Sequence, residues 1–301
     1  MPAKETVEHV QCVVPAGDRC GEGIVWHAGE QAAYWTDINR FLIHRYDEAT
    51  RATHSWHFDE PVVALALTDR PGTLLVALAS RLILWEPQSD TRNAHGFALD
   101  GWPRVRLNDG RADPAGRFWV GSMRNNVGPD GEPGEAGGQD GALHRIDGPD
   151  AFTIFRKQLG IANTLCWSPD RTRFYHADTL ANRIFVWDYD EQSATIGNER
   201  VFFQGFERGY PDGSTIDSEG YVWNCRYGGS CIVRIAPDGR VDRVVEMPVS
   251  NITTATFGGA DLKTLYVTTA GGGDQGSHRL AGSLFSLRVE VPGLPENAVR
   301  L

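Results

Sequence analysis

The sequence predicts an all-β chain folded as a six-bladed β-propeller with four antiparallel strands per blade, and three observations carry that expectation. A polar turn leading into a strand of alternating apolar residues recurs six times. Glycine is plentiful, at 34 of 301 residues, as turn-dense β architecture requires of a residue that tolerates positive φ. No segment of convincing length carries the apolar period of a helix.

The clearest copies of the repeat are DPAGRFWVGSM from Asp113, DSEGYVWNCRY from Asp217 and SPDRTRFYHADT from Ser168. Weaker copies are HAGEQAAYWTDI from His27, TDRPGTLLVALA from Thr68 and GGADLKTLYVTTA from Gly258. With Tyr34, Leu74, Phe118, Phe174, Val222 and Leu265 as landmarks the spacings are 40, 44, 56, 48 and 43 residues, each enough for four short strands. A second strand follows each copy, as in FLIHRYD from Phe41, RLILWEP from Arg81 and RIFVWDYD from Arg183. A shorter apolar run then completes the unit, such as FTIFRK from Phe152 or RVFFQGF from Arg200. A β-sandwich or a jelly roll also has many short strands, but neither needs an internal period.

EHVQCVV from Glu8 is expected to pair with the last blade and close the ring, which removes aggregation-prone edges. The longest spacing contains residues 124–141, a stretch rich in Gly, Pro and acidic residues that reads as an inserted loop. No linker divides the chain, so residues 1–301 are read as a single propeller domain.

The net charge of −10 opposes the basic footprint that nucleic acids and anionic membranes select, and excludes both as expected partners. Five cysteines without a CxxC pair are read as reduced thiols. The start MPAKETVEHV has no apolar signal core and no run is long enough to cross a bilayer, so a soluble cytoplasmic protein is expected. The nine histidines show no zinc-ligand spacing, and GGGDQG from Gly271 is a lone glycine turn rather than a phosphate cradle.

The repeat supplies a positional argument. Four residues before each pre-turn apolar position stand Glu22, Val63, Asn108, Asn163, Asp212 and Thr253, at the start of each innermost strand. Equivalent positions in a radial repeat lie on one ring, so these side chains are expected to converge at one mouth of the channel. Glu22, Asn163 and Asp212 offer two carboxylates and an amide oxygen, a set suited to one divalent cation: Ca, Mg, Mn, Zn or Fe(II). Any one such residue alone more commonly caps a strand or a turn. Asn108 is assigned to substrate, and Arg106, two residues earlier on an extended segment, projects to the same side. An inter-blade salt bridge is the other reading of Arg106.

Five blocks carry a resemblance: GEGIVW from Gly21, RLNDGRADPAGRFWVGSM from Arg106, IANTLCWSPDRTRFYHADT from Ile161, YPDGSTIDSEGYVW from Tyr210 and FGGADLKTLYVT from Phe257. In that order they resemble the gluconolactonase, regucalcin (senescence marker protein) and luciferin-regenerating-enzyme family, and look closer to its bacterial sugar lactonases. The resemblance implies a six-bladed propeller with one divalent metal in the channel, hydrolysing sugar lactones. It places metal ligands on Glu22, Asn163 and Asp212 and substrate contacts on Arg106 and Asn108. Many animal members carry a Glu shortly after a G-T-M segment; here GSM is followed by Arg124, Asn125 and Asn126, so that sugar contact is not carried over.

The expected reaction is metal-dependent hydrolysis of an aldonolactone, of the gluconolactonase, xylonolactonase or arabinonolactonase type, in carbohydrate catabolism. Asp212 is the expected general base, with a metal-held hydroxide as the competing nucleophile. Two alternatives stand beside it: a phosphotriesterase or arylesterase propeller, and a non-catalytic calcium-binding regulatory propeller.

Overall fold

A computed structural model describes residues 9–272 and 278–301, and in it six antiparallel sheets stand in a ring around a channel. Glu8 of the expected closing strand, and residues 273–276 of GGGDQG, lie outside the described residues. The first blade is Gly21–His27, Ala32–Asp37, Leu42–Asp47 and Thr53–His57; the second is Val62–Thr68, Leu74–Leu78, Arg81–Glu86 and Thr91–Ala98. The third comprises Val105–Ala112, Phe118–Arg124, Gly141–Gly148 and Ala151–Leu159, and the fourth Ala162–Trp167, Arg173–Asp178, Arg183–Asp190 and Thr195–Gln204. The fifth is Tyr210–Ile216, Val222–Tyr227, Cys231–Ile235 and Val241–Glu246. The sixth is Ile252–Gly258, Thr264–Thr269 and Leu284–Arg288, with Gln11–Val14 as its outermost strand, so the early segment does close the ring.

The outer strands are not the short runs expected. Ala151–Leu159 and Thr195–Gln204 span 9 and 10 residues, the longest in the fold. The half from Thr195 to Glu199 carries a single apolar side chain, Ile196, so its apolar signal is weak although its backbone pairs with the Arg183–Asp190 strand.

The recurring Asp of the turn has a double duty that explains why it recurs. Asp113 accepts from the Arg117 amide at 2.8 Å, closing the turn, and its other oxygen accepts from Trp119 Nε1 at 2.9 Å. Asp217 repeats this with the Tyr221 amide at 3.0 Å and Trp223 Nε1 at 2.9 Å. The pinned tryptophans then fill the seams between neighbouring blades, Trp119 against Trp167 and Phe174, Trp223 against Phe257. Each of the six seams holds its own apolar cluster, which makes the ring a chain of nearest-neighbour interfaces.

Below the ring of site residues the axis is filled. Arg111 Nη1 donates to the Ser214 carbonyl at 3.2 Å and its Nη2 to the carbonyls of Ala255 at 3.4 Å and Ile24 at 3.5 Å, tying the third blade to the fifth, sixth and first. Residues 292–300 run beneath it as a strap, with Glu296 3.7 Å from Arg111 and Ala298–Val299 pairing in parallel with Leu67 and Thr68.

His176 is wholly buried between Phe174 and Phe185, and neither ring nitrogen has a hydrogen-bond partner among the described residues. Burial holds it neutral and pulls its pKa down to about 3; burial does the same to His144, down to about 4. As pH falls, the unfolded chain takes the proton first, so the stability tied to each histidine is complete above its ordinary value of 6.5 and drains away toward those lower values. His176→Phe is therefore expected to flatten the pH dependence of unfolding between pH 6.5 and pH 4 by about 1.4 kcal/mol per pH unit. Urea titrations at three pH values in that window check it, and parallel slopes for the two proteins would refute it.

Candidate active site at the channel mouth

All six innermost strands carry a one-residue register shift at the same place: Glu22/Val25, Val62/Ala64, Leu107/Gly110, Asn163/Cys166, Pro211/Ser214 and Ile252/Ala255. A bulge bends its strand and re-aims side chains. In the first blade the bulge is made by Gly23, at φ +56°, where a side chain would press on Ala64. The equivalent residue of the fourth blade is Thr164 at φ 55°, a β-branched residue in the left-handed region, which costs about 1–3 kcal/mol. Its hydroxyl offsets part of this, donating to the Asp212 carbonyl at 2.5 Å and lying 2.9 Å from Ser214 Oγ. Gly213 follows Asp212 because Thr254 of the next blade stands 2.2 Å from where a Cβ would be.

The bulges deliver Glu22, Asn108, Asn163 and Asp212, with Arg106, to one cavity of about 850 Å³ that opens at the channel mouth. Of the six ring positions named from the repeat, these four line the cavity, whereas Val63 and Thr253 do not. Asn163 donates through Nδ2 to Asp212 Oδ1 at 2.7 Å and to Thr179 Oγ1 at 2.9 Å, and its Oδ1 accepts from Asn108 Nδ2 at 2.8 Å. Arg106 donates to Asn108 Oδ1 at 2.8 Å and lines the same cavity. Leu180, Tyr210 and Tyr227 form an apolar flank to the same cavity.

Sequence reasoning missed Asp109. Strict alternation sends it away from Asn108, but the bulge between Leu107 and Gly110 breaks the alternation and turns it inward. There it accepts from the backbone amides of Gly110, Leu165 and Thr164, and its charge acts on both other carboxylates. Burial, followed by the charges of Asp212 and Asp109, pushes Glu22 well above the ordinary carboxylate range. Burial and the charge of Asp109 do the same to Asp212, and Arg106 offsets part of both shifts. Burial pulls Arg106 itself down to about 10, so it remains a cation at neutral pH.

Among the described residues no three His, Cys, Asp or Glu side chains group as a ready metal cage. The candidate set depends on Asn163 as its third member. One lone pair of Asn163 Oδ1 is taken by Asn108, which leaves the other for a cation. Hard oxygen donors, with carboxylate charge only partly offset by Arg106, fit a divalent ion with open positions for water or substrate.

This arrangement defines a β-propeller with an acidic, amide-lined site at one mouth of its axial channel. The chain belongs to the SMP-30/Gluconolactonase/LRE-like family, whose defining region matches residues 20–271. It is 36% identical over 293 residues to a pentonolactonase, XacC, of Haloferax volcanii, covering 94% of this chain and 96% of that protein. A 6-deoxy-6-sulfogluconolactonase of Pseudomonas putida is 32% identical over 295 residues, covering 96% and 98%. Among solved structures, a calcium-binding protein, regucalcin, from Agrobacterium tumefaciens superposes with a TM-score of 0.89 at 27% identity, covering 98% of both chains. Among the described residues no helix is long and apolar enough to cross a membrane.

Proposed function

We propose that the chain hydrolyses a sugar lactone to its aldonic acid, with one divalent cation held by Glu22, Asn163 and Asp212. The observation that carries this reading is the convergence of those three side chains with Arg106 and Asn108 in a single cavity. The pentonolactonase and sulfogluconolactonase relatives support an aldonolactone as the substrate class.

A bound divalent cation supplies Lewis-acid polarisation of the lactone carbonyl and counter-charge for the developing oxyanion. Asp212 accepts the proton of the attacking water, its carboxylate oriented by Asn163 at 2.7 Å and its backbone by Thr164. Water oxygen bonds to the carbonyl carbon, the bond from that carbon to the ring oxygen breaks, and the ring oxygen leaves as a hydroxyl carrying the proton. Arg106 and Asn108 hold sugar hydroxyls and fix the ring against the base. Tyr210, Tyr227 and Leu180, exposed at the rim of the cavity, offer an apolar surface to one side of the substrate.

The test is pH-stat hydrolysis of gluconolactone, xylonolactone and arabinonolactone by metal-stripped protein given Ca, Mg, Mn, Zn or Fe(II) in turn, with spontaneous hydrolysis subtracted. Activity is expected to depend on the added ion, vanish with chelator, and be matched by a rise in Tm on ion binding. Cleavage of a phosphotriester without lactone turnover would replace this reading by the phosphotriesterase one. Tight calcium binding without turnover of either substrate would favour a regulatory calcium binder, as the regucalcin likeness suggests.

A further inference from the structure

We infer that Asn126, carried on the inserted segment after Arg124, is a positioning residue for the reaction, acting through Arg106; the inference rests on the lactonase reading above. Asn126 Oδ1 accepts from both Arg106 Nε at 3.2 Å and Arg106 Nη2 at 3.0 Å. The remaining nitrogen, Nη1, donates to the Leu107 carbonyl at 2.9 Å and to Asn108 Oδ1 at 2.8 Å. All three guanidinium nitrogens are thus engaged, and Asn126 holds two of them from the side opposite Asn108.

The chain of bonds runs on across two more blades. Asn108 Nδ2 donates to Asn163 Oδ1, and Asn163 Nδ2 donates to Asp212 Oδ1. Its two ends have a single role each, since a guanidinium only donates and a carboxylate only accepts. Both amides between them are therefore held in one orientation, and Asn126 is the group that fixes the head of the series. Loss of Asn126 leaves Arg106 and Asp212 still defining both ends of this series, so the effect of Asn126 falls on the aim of Arg106 toward sugar hydroxyls and not on the base.

The segment is built to hold Asn126 still. Its carbonyl accepts from the Gly134 amide at 2.7 Å, and the neighbouring Asn125 amide donates to the Arg104 carbonyl at 2.8 Å. The tip is docked across the channel mouth on the first blade, where the Gly131 carbonyl accepts from Asn39 Nδ2 at 2.9 Å. A group that positions another to better than an ångström has to be supported in this way.

The experiment compares Asn126→Leu, which removes the acceptor, with Asn126→Asp, which keeps it, on an aldonolactone and on δ-valerolactone, which has no hydroxyl for Arg106. Asn126→Leu is expected to lower kcat/KM on the aldonolactone by about 10- to 100-fold, mainly through KM, and Asn126→Asp by no more than about 3-fold. On δ-valerolactone both variants are expected to match the wild type, and calorimetry is expected to give an unchanged cation Kd. In an Arg106→Lys background, Asn126→Leu adds little further loss. An unaffected Asn126→Leu, equal losses on both lactones, or full additivity with Arg106→Lys overturns the inference. If the leucine variant fails to fold, Asn126→Ser, which shortens the acceptor, replaces it with the same criteria. A wild type inert toward every lactone overturns the lactonase reading, whereas an active wild type with indifferent variants overturns only the role of Asn126.

Discussion

Asp212→Asn is expected to lower kcat on an aldonolactone by about 10²- to 10⁴-fold with little change in Tm, because it keeps the shape of the side chain and removes its basicity. The position is over-determined by its surroundings. Asn163 holds one carboxylate oxygen, Thr164 and Asn224 hold the backbone carbonyl at 2.5 and 3.4 Å, and Gly213 lets Thr254 close in behind it. A carboxylate beside a cation is ordinarily a weak base, since the cation favours the ionised form. Here burial and the charge of Asp109 push in the other direction and raise its proton affinity. The two influences on its proton affinity oppose one another. Near-normal turnover by Asp212→Asn, with the preferred ion present, would rule out this role and leave Asp212 as a ligand only.

Asp217→Ala is expected to destabilise the fold by about 3–5 kcal/mol, far more than any exposed charge change, because it removes the acceptor of five hydrogen bonds at a buried site and leaves Arg234 only Asp242 and Glu219 as carboxylate partners. Asp217 is wholly buried and accepts from Arg234 Nε at 2.9 Å and Nη2 at 2.7 Å, as well as from Trp223 Nε1 and the Tyr221 amide. Arg234 lies over the Tyr221 ring at 3.6 Å, so one carboxylate ties turn, tryptophan and third strand of the fifth blade together. For a chain of this length the change corresponds to a Tm lower by roughly 5–8 °C. Asp238→Ala, which removes an exposed pair with Arg240 and one exposed turn hydrogen bond from its amide, is the control and is expected to lower Tm by no more than about 2 °C. Equal Tm values for the two variants would show that the turn Asp is not what holds the blade.

Much of this site was legible in the sequence because a propeller repeats its geometry. Once six turns align, Glu22, Asn163 and Asp212 fall on one ring, and the cavity does contain all three. Asn108 falls on the same ring, and Arg106 followed from alternation on the segment before the bulge, where alternation still holds. Asp109 and Thr164 did not, since alternation fails at a bulge and nothing in DGR or NTL marks where the extra residue sits. Asn126 was equally hidden: residues 124–141 have no period, and the position of an aperiodic loop is decided by what it docks on, here Asn39 of the first blade.

The sequence by itself determined the number of blades, the strand that closes the ring and the register of the candidate ligands, because these follow from patterns repeated within about fifty residues. Only the tertiary structure decided which side chains turn inward at the bulges, how the inserted segment reaches Arg106, and that Arg111 and Glu296 fill the axis. Those outcomes depend on groups brought together from distant blades, as Arg111 is with Ile24, Ser214 and Ala255, and no local pattern of apolar and polar residues encodes such a meeting.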